Sequence, residues 1–476
     1  MSEDIFEDKN AASREAAKKV AELAAEKGGR AYYVGGCVRD ELLGRHVNDT
    51  DIEVHGVSPQ DLFDILSKAG EPLAYGESFG IYSLRGLDLD VAMPRKEKAV
   101  GRGHRDFEVS VDPFIGPEGA ARRRDFTVNA LMKDVLTGEI LDFFGGLSDL
   151  KAGVLRHVND ESFAEDPLRV LRAAQFAARL GFKVAEQTVS LCRTIDITTL
   201  SSERVEGELK KALLDAPKPS VFFEVLRDME KLSPWFEELA MTIGIEQDPV
   251  FHPEGDVWTH SLQVLDRAAE YRTQASDPYP FMLLALTHDL GKIVTTETID
   301  GRIHAYEHET KGLPLVESFL SRFTTETRVI RYVMNMVPLH MKPNVVAYKR
   351  SALKTTNRMF DEACAPKDLI YIGLADRPVF AGSERFSGDS GFLFERLEAY
   401  EKTMAKPYVK GRDLIEAGIA PGPELGGYLE YAHKLRLAGI DRESALKQTL
   451  AMARKAENEE KRRRASRPGG GEDDGK

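Results

Sequence analysis

The sequence is poor in cysteine, in tryptophan and in long apolar runs. Cys37, Cys192 and Cys364 are its three cysteines in 476 residues. An odd number at such separations argues against a disulfide framework or a CxxC metal site and points to reduced, packed thiols. No run approaches the roughly 20 apolar residues that a membrane helix needs, so no membrane partner is expected. The opening MSEDIFEDKN is acidic and has no apolar leader core, which leads to the expectation of a cytoplasmic protein. A basic excess is missing too. The formal net charge of −13 disfavours non-specific coating of nucleic acid and leaves room for a local basic groove. Repeats at solenoid periods are also absent.

What is present is 42% hydrophobic and 30% charged, the balance of a globular chain, and the length calls for three or four domains. The stretch Tyr33–Gly56, YVGGCVRDELLGRHVNDTDIEVHG, concentrates the chemistry. An apolar lead-in reaches Gly35-Gly36, where backbone without Cβ atoms can approach a triphosphate and amides open a helix. Arg39 is placed to clamp a phosphate. Strand alternation then sends Asp49 and Asp51 to one side, a pair of carboxylates suited to Mg2+.

Around this stretch, residues 11–27 read as a helix ending at Gly28-Gly29, and SPQDLFDILSKAG as a helix capped by Ser58. FGIYSLRGLDLDVAMPR alternates like paired strands, with Asp88 and Asp90 on one face. PRKEKAVGRGHRDF, between Pro94 and Phe107, reads as a mobile basic loop. LMKDVLTGEILDFFGG reads as a hairpin turning at Thr137-Gly138. From Phe163 the period becomes helical, Pro167 falls in a first turn, and Asp166, Arg169 and Arg172 share one face at three-residue spacing. Ser201 and Ser202 are candidate caps of a following helix. The last segment, KRRRASRPGGGEDDGK, is expected to be disordered.

GGxxRD followed by DxD resembles the class II tRNA nucleotidyltransferases, the CCA-adding enzymes and bacterial poly(A) polymerases. The resemblance extends to ARRRDFTVNA, EDPLR and, after His252, to the H…HD…D pattern of HD phosphohydrolases, here His260, His288-Asp289 and Asp376. It implies an α+β fold: a polymerase-beta-like nucleotidyltransferase head, a mixed sheet with helices, over 1–157, followed by an all-α neck (158–240), an HD domain (250–385), a helical body (386–460) and a tail (461–476). It implies Asp90 as a third catalytic carboxylate beside Asp49 and Asp51. Gly35, Gly36, Arg39, Arg124, Asp125, Asn129, Glu165, Asp166, Arg169 and Arg172 become nucleotide-binding residues, and the Gly101–Arg105 loop serves the final A addition.

An acceptor at Asp166 and a donor at Arg169 would mimic a Watson–Crick edge and accept C or A while rejecting U and G. His308 and His340 would complete a second metal position in the HD region, where mixed N/O ligands suit Mn, Ni, Co, Zn or Fe. The implied partners are tRNA, CTP and ATP, on a monomer or homodimer. Alternatives are a poly(A) polymerase, a CC- or A-adding half enzyme, or an HD phosphohydrolase whose head binds RNA.

Overall fold

The computed structural model describes residues 2–47, 49–74, 81–99, 107–377 and 390–465. They form two compact units. The first runs to Ala240 and takes in Arg322–Thr324, and the second holds Met241–Ser321 and the chain from Thr325.

In the first unit, α1 (Ser2–Glu26) lays Ala17, Val20, Ala21 and Ala24 on Ile52, Val54 and Val91 of the sheet, and each larger buried side chain contributes roughly 1.5–3 kcal/mol. The helix stops at Gly28, whose φ of 79° suits glycine. Gly29 follows because a Cβ there would lie 2.7 Å from the His55 carbonyl oxygen. β1 (Arg30–Val34), α2 (Gly36–Leu42), β2 (Thr50–His55), α3 (Pro59–Ala69), β3 (Pro72–Ala74), β4 (Ile81–Leu84) and β5 (Leu89–Ala92) come next. The Ser58 hydroxyl accepts the Asp61 amide at 3.1 Å and caps α3 as expected.

β6 (Arg95–Ala99) and β7 (Phe107–Val111) pair antiparallel as a separate ribbon. This corrects the reading of Pro94–Phe107 as a loop throughout: backbone pairing makes strands of the polar run RKEKA, which carries no apolar signal. Gly101–Arg105 lies outside the described residues. After α4 (Gly116–Ala121), β8 (Met132–Asp134) and β9 (Ile140–Leu141) form the expected hairpin and complete a seven-stranded sheet of order β3-β4-β5-β2-β1-β8-β9. Its one parallel pair is β2 with β5, which sets Asp51 against Asp90 in register.

Helices then take over: α5 (Gly146–Ala152), α6 (Asp160–Glu165), α7 (Leu168–Leu180), α8 (Glu186–Thr194), α9 (Ser202–Asp215), α10 (Ser220–Asp228) and α11 (Glu237–Ala240), with β10 (Val154–Leu155) and β11 (Lys183–Val184) a short parallel pair. α7 packs on α9 and α10. Ser201 stands at the N-cap of α9 without a side-chain capping bond, and Ser202 is already helical.

In the second unit, α12 (Val257–Tyr271) is capped by Asp256, which accepts the Thr259 amide at 2.9 Å. α13 (Pro278–Thr287) is buried from Tyr279 to Thr287, as a helix apolar all round must be. α14 (Lys292–Thr295) leads into a hairpin, β12 (Thr296–Ile299) and β13 (Arg302–Ala305), for which the sequence reading gave no strand. Its Asp300-Gly301 turn takes φ of 50° and 74°, the left-handed pair that a tight hairpin demands. Further helices follow, and the last, Arg442–Ala465, extends five residues into the expected tail because its Arg, Lys, Glu and Ala are good helix formers. None of the described helices is long and apolar enough to cross a membrane. Cys37 and Cys192 are buried free thiols, whereas Cys364 is exposed, contrary to a purely packing role.

Candidate active site

The first unit holds a cleft of about 490 Å3 at the carboxyl end of β1. Strand alternation buries Thr50, Ile52 and Val54 and leaves Asp51 and Glu53 on the opposite face. Asp51 lines the cleft, with Asp49 beside it in the loop leading into β2. Burial, the facing Asp90 and nearby Asp49 push the Asp51 carboxyl up to about 6, against a partial pull from Arg124. Asp90 is also raised, by burial and by Asp49. Carboxylates that repel one another in this way are a fit site for a divalent cation, which would remove the conflict.

Gly35 opens α2 at φ 72°, and a Cβ there would also meet the Arg124 guanidinium at 3.0 Å. Arg124 in turn faces Glu53 at 3.7 Å. The Arg39 guanidinium was expected to stand free for a phosphate, but it is 2% exposed and committed to the protein. It donates to both Asp40 oxygens at 2.8 and 2.7 Å and to Asn129 Oδ1 at 2.6 Å. Asn129 Nδ2 donates to Asp125 at 2.9 Å, and Arg172 donates to the other Asp125 oxygen at 2.9 and 2.7 Å. Burial would raise Asp125, but Arg172 and Asn129 outweigh it and hold this carboxyl below its usual range. The chain Asp40-Arg39-Asn129-Asp125-Arg172 therefore braces the cleft floor, and Arg39 and Arg172 each lie 5.1 Å from the centre of the Phe176 ring.

Asp166, Arg169 and Arg172 do not share a helix face. Asp166 precedes Pro167, and the proline ring forces it to an extended conformation (φ −115°, ψ 101°) between α6 and α7. Its carboxylate caps α7 by accepting the Leu168 amide at 3.1 Å and binds Arg204 of α9 through both oxygens at 2.9 Å. Arg169 instead donates to the Ser162 and Arg123 carbonyls at 2.6 and 2.8 Å. Glu165 is exposed at the end of α6. Asp90, Glu165, Asp166 and Arg169 stand outside the cleft lining, which includes Gly35, Gly36, Arg45, Arg124, Phe176 and Arg179. Sequence reading missed Arg45, Phe176, Arg179 and Arg204. The seven-residue step from Arg172 to Arg179 along one helix face was the available signal for one of them.

The second unit draws together every residue of the expected metal set. His260, His288, Asp289, His308 and His340 are at most 5% exposed. Asp289 Oδ2 lies 3.5 Å from His260 Nε2 and 3.3 Å from His288 Nε2, while Oδ1 lies 3.1 Å from His308 Nε2 and 3.9 Å from His340 Nε2. Asp376 Oδ1 closes the first side, 3.0 Å from His260 Nε2. The Nδ1 atoms of His288, His308 and His340 contact the carbonyls of Ala285, Ala305 and Val337 at 2.9, 2.9 and 2.7 Å, and His260 Nδ1 contacts Glu254 at 2.7 Å. That pattern fixes the tautomer and aims each Nε2 lone pair inward.

His288 Nε2 is buried without a hydrogen-bond partner, as suits a nitrogen that ligates a metal, whereas Asp289 Oδ2 takes an ion pair from Lys292 at 2.7 Å. His288 and Asp289 lie in the turn after α13 rather than on the helix, so both reach one cluster. The glycine of HDLGK is required by packing: a Cβ on Gly291 would sit 1.9 Å from the His308 carbonyl oxygen. Among the described residues, His260, His288 and Asp376, and His288, Asp289 and His340, hold ligand atoms within 4.8 Å of one another, whereas the head aspartates do not form such a group.

A family model described as the poly A polymerase head domain matches residues 31–156. The chain is 34% identical over 425 residues to the multifunctional CCA protein of Pseudomonas paraeruginosa, covering 86% of this chain and 97% of that one. It is 39% identical over 427 residues to its namesake in Pseudomonas aeruginosa, with the same coverage of 86% and 97%. Among solved structures, the fold is shared with the Thermotoga maritima CCA-adding enzyme complexed with tRNA, at a TM-score of 0.62, 22% identity and coverage of 91% and 94%. It is shared equally with a CCA-adding enzyme complexed with ATP, at a TM-score of 0.64, 21% identity and coverage of 91% and 92%.

Proposed function

This chain belongs to the multifunctional CCA protein family, and on that premise we propose that its head adds C, C and A in turn to the 3′ end of tRNA, using CTP and ATP. The observation that carries the reading is Asp51, which lines a cleft opened by Gly35-Gly36 and stands in register with Asp90 on the neighbouring strand. The 3′-hydroxyl attacks the α-phosphate, a new O–P bond forms as the bond to the β-phosphate oxygen breaks, and pyrophosphate leaves. Gly35 leaves the cleft wall open to the phosphates, and the Arg39–Asn129–Asp125–Arg172 chain keeps the floor rigid.

Asp49, Asp51 and Asp90 would hold magnesium, which when bound neutralises charge on the reacting and leaving phosphates. Asp166 and Arg169 read the base, with Arg204 orienting Asp166. Free thiols support a reducing compartment such as the cytoplasm. Purified protein incubated with tRNA lacking its 3′ end and each labelled nucleotide should add CMP from CTP, then AMP from ATP. Addition of A alone, of C alone, or of long A tracts would replace this reading with a half enzyme or a poly(A) polymerase.

A second activity is favoured by the orphaned His288 Nε2 amid His260, Asp289 and Asp376. We propose that His260, His288, Asp289 and Asp376 hold one transition metal and Asp289, His308 and His340 a second, for metal-dependent phosphoester hydrolysis. Such ions supply an activated water at neutral pH. Lys292, 2.7 Å from Asp289 Oδ2 and 2.7 Å from Gln247 Oε1, holds the shared carboxylate in place. Absence of phosphodiesterase and phosphatase activity with Mn, Ni, Co and Mg would reduce this unit to a scaffold.

A further inference from the structure

The charges that line the nucleotide cleft do not all cancel. Arg39 is matched by Asp40, Arg172 by Asp125 with Glu208 3.9 Å away, and Arg124 by Glu53 at 3.7 Å. Two lining arginines, Arg45 and Arg179, have no carboxylate within ion-pair distance among the described residues. Arg45 is exposed and donates to a single backbone carbonyl, that of Leu180, at 3.3 Å. Arg179 is half-buried, its guanidinium 5.9 Å from the centre of the Phe176 ring.

Because Leu180 is the next residue after Arg179, the Arg45 contact brings both guanidiniums to the last turn of α7. The geometry also shows why Arg179 stays where it is. Arg172, Phe176 and Arg179 follow one another at four- and three-residue steps on one helix face, and the ring that lies 5.1 Å from both Arg39 and Arg172 also supports Arg179. Its planar fork is thereby positioned while its donors remain uncommitted, the state in which a guanidinium binds a phosphate at least entropic cost.

We propose that Arg45 and Arg179 form a phosphate-binding pair at the end of the cleft next to α7, and that the group they take is the β,γ-polyphosphate of the incoming nucleotide. This rests on the nucleotidyl-transfer reading of the cleft. The carboxylates Asp49 and Asp51 line the same cleft and call for a cation between them and the α-phosphate. The remaining negative charge of a triphosphate needs donors that the braced arginines cannot spare, and Arg45 and Arg179 are those donors.

The test uses the full chain with tRNA lacking its 3′ end. Wild-type CMP addition establishes the nucleotidyl-transfer reading by itself, so its absence would sink that reading and not merely this pair. In Arg45→Ala and Arg179→Ala, the KM for CTP and for ATP should rise roughly tenfold to a hundredfold, the range for losing a charge-assisted hydrogen bond to phosphate. Inhibition of the wild type by inorganic tripolyphosphate should weaken by the same factor in each variant, while the KM for tRNA stays within about twofold of wild type.

Arg179→Lys should recover part of the loss, since an ammonium binds phosphate as a point charge. Should Arg179→Ala fail to fold, Arg179→Lys and Arg45→Ala carry the same comparison. A rise in the KM for tRNA with nucleotide KM unchanged would assign the pair to an RNA backbone phosphate and overturn the proposal. So would unchanged values for both substrates, which would leave Arg179 as a cation stabilising the end of α7.

Discussion

Asp51→Asn should stabilise the metal-free protein while abolishing nucleotide addition. Asp51 stands in register with Asp90, and its carboxyl is raised from 3.8 to about 6 by burial and its acidic neighbours. At 1.36 kcal/mol per pH unit that difference represents at most about 3 kcal/mol of unfavourable ionisation at neutral pH. A group whose folded pKa lies above its unfolded one contributes its full stability below the unfolded pKa. That contribution is lost as pH rises through the folded pKa, so wild-type stability should fall between about pH 4 and pH 6 on this account.

The neutral amide has no such ionisation, so the variant should lose this part of the pH dependence. Its first unit should melt higher at pH 7.5 by up to roughly 10 °C, at about 2–4 °C per kcal/mol for a unit of this size. Magnesium should raise the wild-type melting temperature and leave the variant's unchanged, because the cation relieves the repulsion that the substitution has already removed. Calorimetry in chelator and then in magnesium, at pH 4.5, 6 and 7.5, reads all three effects, and extension of truncated tRNA reads the fourth. A variant no more stable than wild type at pH 7.5, or one that still adds CMP and AMP at near wild-type rate, would remove Asp51 from the site.

Asp289→Asn should abolish phosphoester hydrolysis and metal retention in the second unit, leave CCA addition within about twofold, and destabilise that unit by about 3 kcal/mol because buried Lys292 loses its partner 2.7 Å away. Measured metal content separates this from a simple folding defect. Asp166→Ala should slow CTP and ATP use and admit UTP or GTP, shifting discrimination by roughly ten- to a hundredfold in four-nucleotide competition. Arg204→Ala should move it the same way but less, since Arg204 binds both Asp166 oxygens at 2.9 Å. Full retention of C and A preference in both would end the base-reading assignment. Gly291→Ala places a Cβ 1.9 Å from the His308 carbonyl oxygen, so it should lower the melting point of the second unit and its metal content with head activity intact. An unshifted second-unit transition would show that the Gly291–His308 contact can give way.

Where chemistry depends on neighbours in the chain, the sequence determined it. Alternation placed Asp51 on the face opposite Ile52 and Val54, Gly35 and Gly36 marked the turn that lines the cleft, and the order of histidines and aspartates marked the buried cluster of the second unit. These are short-range properties, set by residue type and by a period of two or 3.6. Tertiary structure decided what pairs with what over long separations. Parallel pairing of β2 with β5 put Asp90 opposite Asp51, and a proline took Asp166 off the helix and delivered it to Arg204 of α9. The same packing turned Arg39 from a free phosphate clamp into a buried brace and left Arg45 and Arg179 without a carboxylate partner among the described residues. Side chains identical in sequence terms thus acquired different roles, because a guanidinium's availability is set by the acids that folding brings within hydrogen-bond reach, and no local pattern encodes them.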